Sequence, residues 1–345
     1  MAGSGDPVVE GDYIETEDGL FFTVKGMIHP PDRILAVLRY MPDPGGNRQR
    51  QGQRYRRLYR FEEQEAILCS RFPHYLAFES SIGAVLQSVP SPLVRRRYSP
   101  RERLQELVRN GPQEELEKDA LDFARRLCIE GGIPIQAMGI SGSLLIGMHT
   151  PASDLDLIVY GQQNCWALYA GLRQLLDDGN DSEISRLDER GMETLYADRS
   201  AGSSMSLAEF IACEKKKVNQ GQFRGRVYFL RFLKSLDEIE EHYSQQQYRP
   251  EGHAEVIARI AGDEERIFTP CCYRLESVRW LNGFNGGDLR EAISYRGRFS
   301  EAARRGEWAL IRGKVERVED SSGEIWHRLL LGNSASDVIL TREDP

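Results

Sequence analysis

Apolar and polar positions alternate in three textures along the chain. The first is strand-like. Tyr13-Ile14-Glu15-Thr16 and Leu20-Phe21-Phe22-Thr23-Val24-Lys25, joined by Glu17-Asp18-Gly19, read as a hairpin. Arg33 to Tyr40 reads as a third strand, ended by Met41-Pro42-Asp43-Pro44-Gly45-Gly46, and Met1 to Gly11 reads as a polar tail. So short a unit cannot own a full core and should dock on something else. The second texture is helical. Ser99-Pro100 opens a helix with Leu104, Leu107 and Val108 on one side, closed by Asn110-Gly111-Pro112. Glu114 to Ile129 spaces Leu116, Ala120, Leu121, Phe123, Ala124 and Leu127 as a buried stripe. Cys165 to Leu176, Leu187 to Ala197 and Leu207 to Val218 are predicted as further helices, Ser206 capping the last and Lys215-Lys216-Lys217 lying at its C-terminal end.

Short apolar runs interrupt these helices: Ile133 to Ile140, Ser153 to Tyr160, and Val227 to Leu233, each the length of a buried strand. After Gly252 the third texture begins. Ala254 to Ile260, Ile267 to Leu275, Trp308 to Val318 and Ile325 to Leu331 suit strands, with Asp263-Glu264-Glu265 and Glu319 to Gly323 as hairpin turns and a short helix expected within 290–305. The fold class that follows is α+β: a mixed sheet with flanking helices, then a smaller β-rich domain, barrel or sandwich. The expected divisions are 1–60, an N-terminal hairpin module able to pack on the C-terminal domain; 61–245; and 246–345.

Composition changes this picture little. The 345 residues, 40% apolar and 28% charged, can bury an ample core. A net charge of −8 argues against general nucleic-acid coating but leaves local basic patches. No apolar run reaches the length of a membrane span, and the start lacks the pattern of a signal peptide. The six cysteines have no Cys-x-x-Cys spacing, so reduced thiols and a cytoplasmic location are expected.

The candidate chemistry sits between Gly139 and Tyr160. An apolar strand runs into Ser141-Gly142-Ser143, and Leu144 to Met148 reads as one helical turn or two. A Gly-Ser pair where strand becomes helix leaves backbone N–H groups bare, and the missing Cβ lets a phosphate approach. Asp154 and Asp156 are two apart in a strand reading, so both carboxylates project from one face while Leu155, Leu157 and Val159 take the other. Two acids on one face invite a cation, and Mg²⁺ (or Mn²⁺) favours carboxylate and phosphate oxygens.

Gly142-Ser143 followed ten residues on by Asp154-Leu155-Asp156 resembles the defining motif of the polymerase-β-like nucleotidyltransferase superfamily. The resemblance covers this stretch and its flanking helices. It implies that Gly142 and Ser143 bind the triphosphate, and that Asp154 and Asp156 hold the metals and carry catalysis. The implied reaction transfers a nucleoside monophosphate from a nucleoside triphosphate to a hydroxyl acceptor (RNA, a protein hydroxyl or a small molecule), with release of pyrophosphate. Active members usually carry a third carboxylate on a later strand. Here that interior position holds Arg231, while Asp237, Glu238, Asp188 and Glu189 lie outside any apolar strand. Either two aspartates suffice, with an acid such as Asp237 folding in, or the same scaffold is a noncatalytic nucleotide- or RNA-binding regulator. Two arginine knots, Arg48 to Arg60 with Tyr55 and Tyr59 interleaved and Arg95-Arg96-Arg97-Tyr98, suit single-stranded nucleic acid. Folded near Gly142-Ser143, they would instead neutralise a triphosphate.

Overall fold

The computed structural model describes residues 7–199 and 205–343. In chain order the elements begin with β1 (Tyr13–Thr16), β2 (Phe21–Val24), β3 (Arg33–Pro42), β4 (Arg48–Arg50) and β5 (Gln53–Arg57). Next are α1 (Phe61–Arg71), β6 (Leu76–Glu79), β7 (Ala84–Pro90), β8 (Val94–Tyr98), α2 (Pro100–Asn110) and α3 (Glu115–Gly131). The central stretch holds β9 (Met138–Ile140), α4 (Gly142–Leu145), β10 (Leu155–Tyr160) and α5 (Gln162–Asp178). Then come β11 (Ile184–Ser185), α6 (Glu189–Arg199), α7 (Leu207–Glu214), β12 (Gln220–Phe223) and β13 (Arg226–Leu233). The chain closes with β14 (Gln246–Gly262), β15 (Cys271–Gly283), β16 (Leu289–Ser294), β17 (Trp308–Asp320), β18 (Ile325–Leu331) and β19 (Val338–Arg342). The protein is α+β, with three sheets among the described residues.

Two compact units emerge: one comprises 1–79, 85–172 and 228–243, the other 80–84, 173–227 and 244–345. The N-terminal strands, expected as a separate module, therefore cluster with the residues around Gly142, and 173–227 clusters with the C-terminal strands. In the first unit, β4-β5-β3-β2-β1-β8 form one sheet path, with β7 pairing β3 and β6 pairing β7. Ile14, Phe22, Val24 and Leu38 supply its core at 0% exposure.

A second sheet in this unit carries β9 antiparallel to β10 and β10 parallel to β13. Strand alternation explains its two faces. Leu155, Leu157, Val159, Tyr228, Leu230 and Phe232 are buried on one, where Phe123 of α3 stacks on Tyr228 with ring centroids 4.8 Å apart. Burial of each such side chain contributes about 2 kcal/mol. The other face presents Asp156, Ile158 and Tyr160 beside Phe229, Arg231 and Leu233 in register. The N-terminal segment lies against this face. A Cβ added to Gly11 would stand 2.3 Å from Ile158 Cδ1, and Ser141 Oγ–H donates to the Gly11 carbonyl at 3.0 Å. Arg101 of α2 stacks 4.0 Å from the Tyr160 ring centroid.

Several local expectations are met. Ser99 caps α2 by accepting from Glu102 N–H at 3.5 Å, and Ser206 with Glu209 forms a reciprocal capping box on α7. Others differ. The run from Ile133 to Ile140 is a strand only over its last three residues, because Pro134 has no N–H for a ladder and a tight turn with Ala137 N–H on Pro134 O takes the rest. Residues 290–305 hold most of β16 and a helix of a single short 3-10 turn, Gly297–Phe299, with Phe299 and Ala303 buried. Helix α7 ends at Glu214, and Lys217 is not solvated at its end: it is 2% exposed, bonded to Glu214 and to the Arg298 carbonyl.

In the second unit the order β14-β15-β16-β18-β17 returns to β14, closing a five-membered ring with β19 added on β17. Of the alternatives left open by the sequence, the barrel is the one realised. Its interior is filled by Val256, Ala258, Ile260, Tyr273, Ala292, Ile311, Val315 and Leu329, each at 0% exposure.

Candidate functional site

Asp156 sits on β10 between two fully buried leucines, so alternation forces its carboxylate to the opposite face. There it meets the Gly-Ser turn. A Cβ built on Gly142 would fall 1.9 Å from Asp156 Oδ2 and 2.7 Å from its Cγ. Gly142 also has φ +63°. Both facts demand glycine, one by volume and one by backbone conformation. The Ser141 N–H donates to the Asp156 carbonyl at 2.8 Å, fixing the turn to the strand. Ser143 is buried within α4, a single helical turn. Asp154 is exposed, just ahead of β10, in a loop held by Ser153 Oγ accepting from Thr150 N–H at 2.9 Å.

The charges of three arginines act on Asp156: Arg57 on β5, Arg231 on β13 and Arg39 on β3. Burial is the largest influence on its carboxyl and pushes its pKa above the ordinary aspartate value; the three guanidiniums pull the other way without prevailing. Among the described residues this carboxylate accepts no hydrogen bond and forms no ion pair. Arg57 likewise has no acid: its Nε is buried without a hydrogen-bond partner, and its guanidinium lies over the Tyr59 ring at 4.5 Å. Arg39 donates to the Leu58 carbonyl at 3.2 Å and has no acid either. Tyr13 and Tyr40, buried beside them, have their phenols held protonated by burial above all.

Arg231 differs. It pairs with Glu10, which also accepts from Lys25 Nζ at 3.0 Å and from Gly26 N–H at 2.7 Å. Desolvation of Glu10 raises its pKa, but Lys25, Arg231 and Gly26 together hold it below the ordinary value. The residues where a third acid was sought serve other ends. Glu238 accepts from Gln162 N–H at 2.8 Å and Ser235 N–H at 2.8 Å, Asp188 accepts from Gly191 N–H at 2.7 Å, and Asp237 is exposed.

Of the two arginine knots, the first reaches the site, through Arg57 and through Arg48, which bonds Thr150 Oγ1 at 3.2 Å. The second is spent on nearby acids: Arg97 bonds Asp12 at 2.7 Å and Arg95 pairs with Glu15 at 3.4 Å. His149 bonds Glu114 at 2.9 Å. Sequence reasoning missed Arg39 and Glu10. Arg39 looks like any solvated strand arginine, and nothing in the polar pattern ahead of Gly11 signals that Glu10 is fully buried. The C-terminal barrel has an open groove lined by Arg259, Ser277, Trp308 and Arg342. Its arginines are matched by Glu276 and Glu209.

Whether a divalent cation fits is decided by the free acid. A half-buried, desolvated carboxylate without a partner is a donor that a hard cation satisfies, and Mg²⁺ needs only one or two carboxylates when phosphate and water supply the rest. Among the described residues no three His, Cys, Asp or Glu side chains gather as a closed metal cage.

Comparison with known proteins finds a similarity to the uncharacterized protein MJ1086 of Methanocaldococcus jannaschii, 29% identical over 331 residues, covering 94% of this chain and 95% of that protein. No family model matches the chain, and no solved structure matches it. Among the described residues, no helix is long and apolar enough to cross a membrane.

Proposed function

We propose that this protein is a Mg²⁺-dependent nucleotidyltransferase of the polymerase-β-like kind, moving a nucleoside monophosphate from a nucleoside triphosphate to a hydroxyl acceptor. The observation that carries the reading is the unpartnered Asp156 carboxylate lying where a Gly142 side chain would be. Gly142 and Ser143 hold the phosphates at a bare turn. Arg39 and Arg57 face Asp156 without acids of their own and offset phosphate charge. Asp156, with Asp154 at the rim, would hold the cation, which when bound neutralises charge growing on the phosphoryl and leaving oxygens. The N-terminal segment over Ile158 restricts water on one side of the strand. Six free cysteines accord with a cytoplasmic setting.

One observation favours a noncatalytic nucleotide-binding regulator: Arg231, paired with Glu10, stands where a third acid would serve as base. The two readings part in one assay. Pyrophosphate release is measured with Mg²⁺, each of four nucleoside triphosphates and a panel of RNA and small-hydroxyl acceptors, with Asp154→Asn and Asp156→Asn as controls. Transfer requires release that both substitutions abolish. Nucleotide binding without release from any acceptor supports the regulator, and absence of both sinks the phosphate site itself.

A further inference from the structure

Tyr59 follows β5 in the loop before α1, and it is 60% exposed. It is also held. The Arg57 guanidinium carbon lies 4.5 Å from its ring centroid and that of Arg39 lies 4.9 Å away. These are two of the three arginines whose charge acts on Asp156. Neither arginine has an acid partner, and Arg57 Nε is buried without any acceptor. Two cations that lack anions beside an aromatic ring with open surface have a common complement: a molecule with phosphates at one end and a flat heterocycle at the other. An aromatic ring accepts any base by stacking, and arginine adds cation–π attraction.

We propose that Tyr59 is the stacking residue for the nucleobase of the bound nucleoside triphosphate, with Arg57 and Arg39 taking phosphate oxygens beside it. This rests on the proposed nucleotidyltransferase reading and adds to it the residue that holds the base. The residue lies in the loop after β5, far along the chain from the Gly-Ser and Asp-x-Asp stretch. Because stacking is tolerant of base identity, preference among the four bases should be weak at Tyr59 itself.

The experiment measures equilibrium binding to the full chain, with Mg²⁺, of inorganic tripolyphosphate and of the tightest-binding among ATP, GTP, CTP and UTP. Tyr59→Ala should weaken the nucleotide by about fivefold to a hundredfold, the range expected for loss of one base–aromatic stack. Tripolyphosphate should change by less than about twofold, and Tyr59→Trp should restore the nucleotide. Equal weakening of both ligands, or no weakening of the nucleotide, overturns the stacking role while leaving the phosphate site standing. If the unsubstituted chain binds neither ligand, the nucleotide reading and this one fall together. Since Tyr59 is exposed, the alanine variant keeps its fold, and a matched melting temperature verifies that.

Discussion

Glu10 and Arg231 are 221 positions apart in the chain and form an ion pair on the covered face of the β10–β13 strands. Glu10 has no exposed surface and satisfies Arg231, Lys25 and the Gly26 N–H together. A buried pair contributes little against a well-packed apolar substitute, but removing one partner strands the rest. Glu10→Gln should therefore destabilise the protein by about 2–4 kcal/mol in denaturant titration. Because Arg231 and Lys25 keep partial contact with solvent, the value should lie below that for a wholly sealed pair. A loss under about 0.5 kcal/mol would mean that the pair is idle.

Gly142→Ala tests the contact between the turn and the acid. The new Cβ would overlap the Asp156 carboxylate, with φ at +63° adding strain. A destabilisation of about 2 kcal/mol or more is expected, together with loss of nucleotide binding. In an Asp156→Ala background the penalty should shrink toward the backbone strain alone, since the carboxylate oxygen and its carbon are gone. Additive effects in the double-mutant cycle would contradict the packing described.

Asp156→Asn separates stability from function. The carboxyl is raised above the ordinary aspartate value because burial disfavours its charge. Its charged form thus costs stability at neutral pH, and the isosteric amide relieves that cost. The variant should melt higher, by on the order of 1 kcal/mol or about 2–4 °C, while losing any Mg²⁺-dependent activity. A variant that melts lower would show that Asp156 is better satisfied than its surroundings indicate.

Asp12 makes a second pH prediction. Its carboxyl is 1% exposed, bonded to Arg97 on one oxygen, and has its other oxygen without a partner. Burial outweighs Arg97 and the Val9 N–H and raises its pKa from 3.8 to about 6. Between those values the folded state binds more protons than the unfolded chain, so this group's contribution to stability is present at low pH and declines as pH rises through the window. Relative to Asp12→Asn, the unsubstituted protein should lose on the order of 2 kcal/mol between about pH 4 and pH 7. A difference in stability between the two proteins that stays constant with pH would refute it.

Much of the architecture was legible in the residue pattern. Ser99-Pro100 and Gly111 marked the ends of α2, the stripe from Leu116 to Leu127 marked the buried side of α3, and alternation around Asp156 assigned its face. These are local facts, set by capping groups and by periodicity within a few residues. Lys217 follows no such local rule: a lysine after a helix is normally solvated, and only Glu214 and the Arg298 carbonyl make its burial tolerable.

The sequence by itself determined the α+β class, the strand–turn–strand order at Gly142 and Asp156, and the elements that flank it, since each depends on neighbours along the chain. Tertiary structure alone decided which charges meet. Arg39, Arg57, Glu10 and Arg231 come from four separate segments, and no periodicity records that the N-terminal strands fold with β10 and β13. Electrostatics acts through space over several ångströms, whereas propensity acts along the chain, so the free acid and its unpaired arginines became visible only once the sheets were assembled.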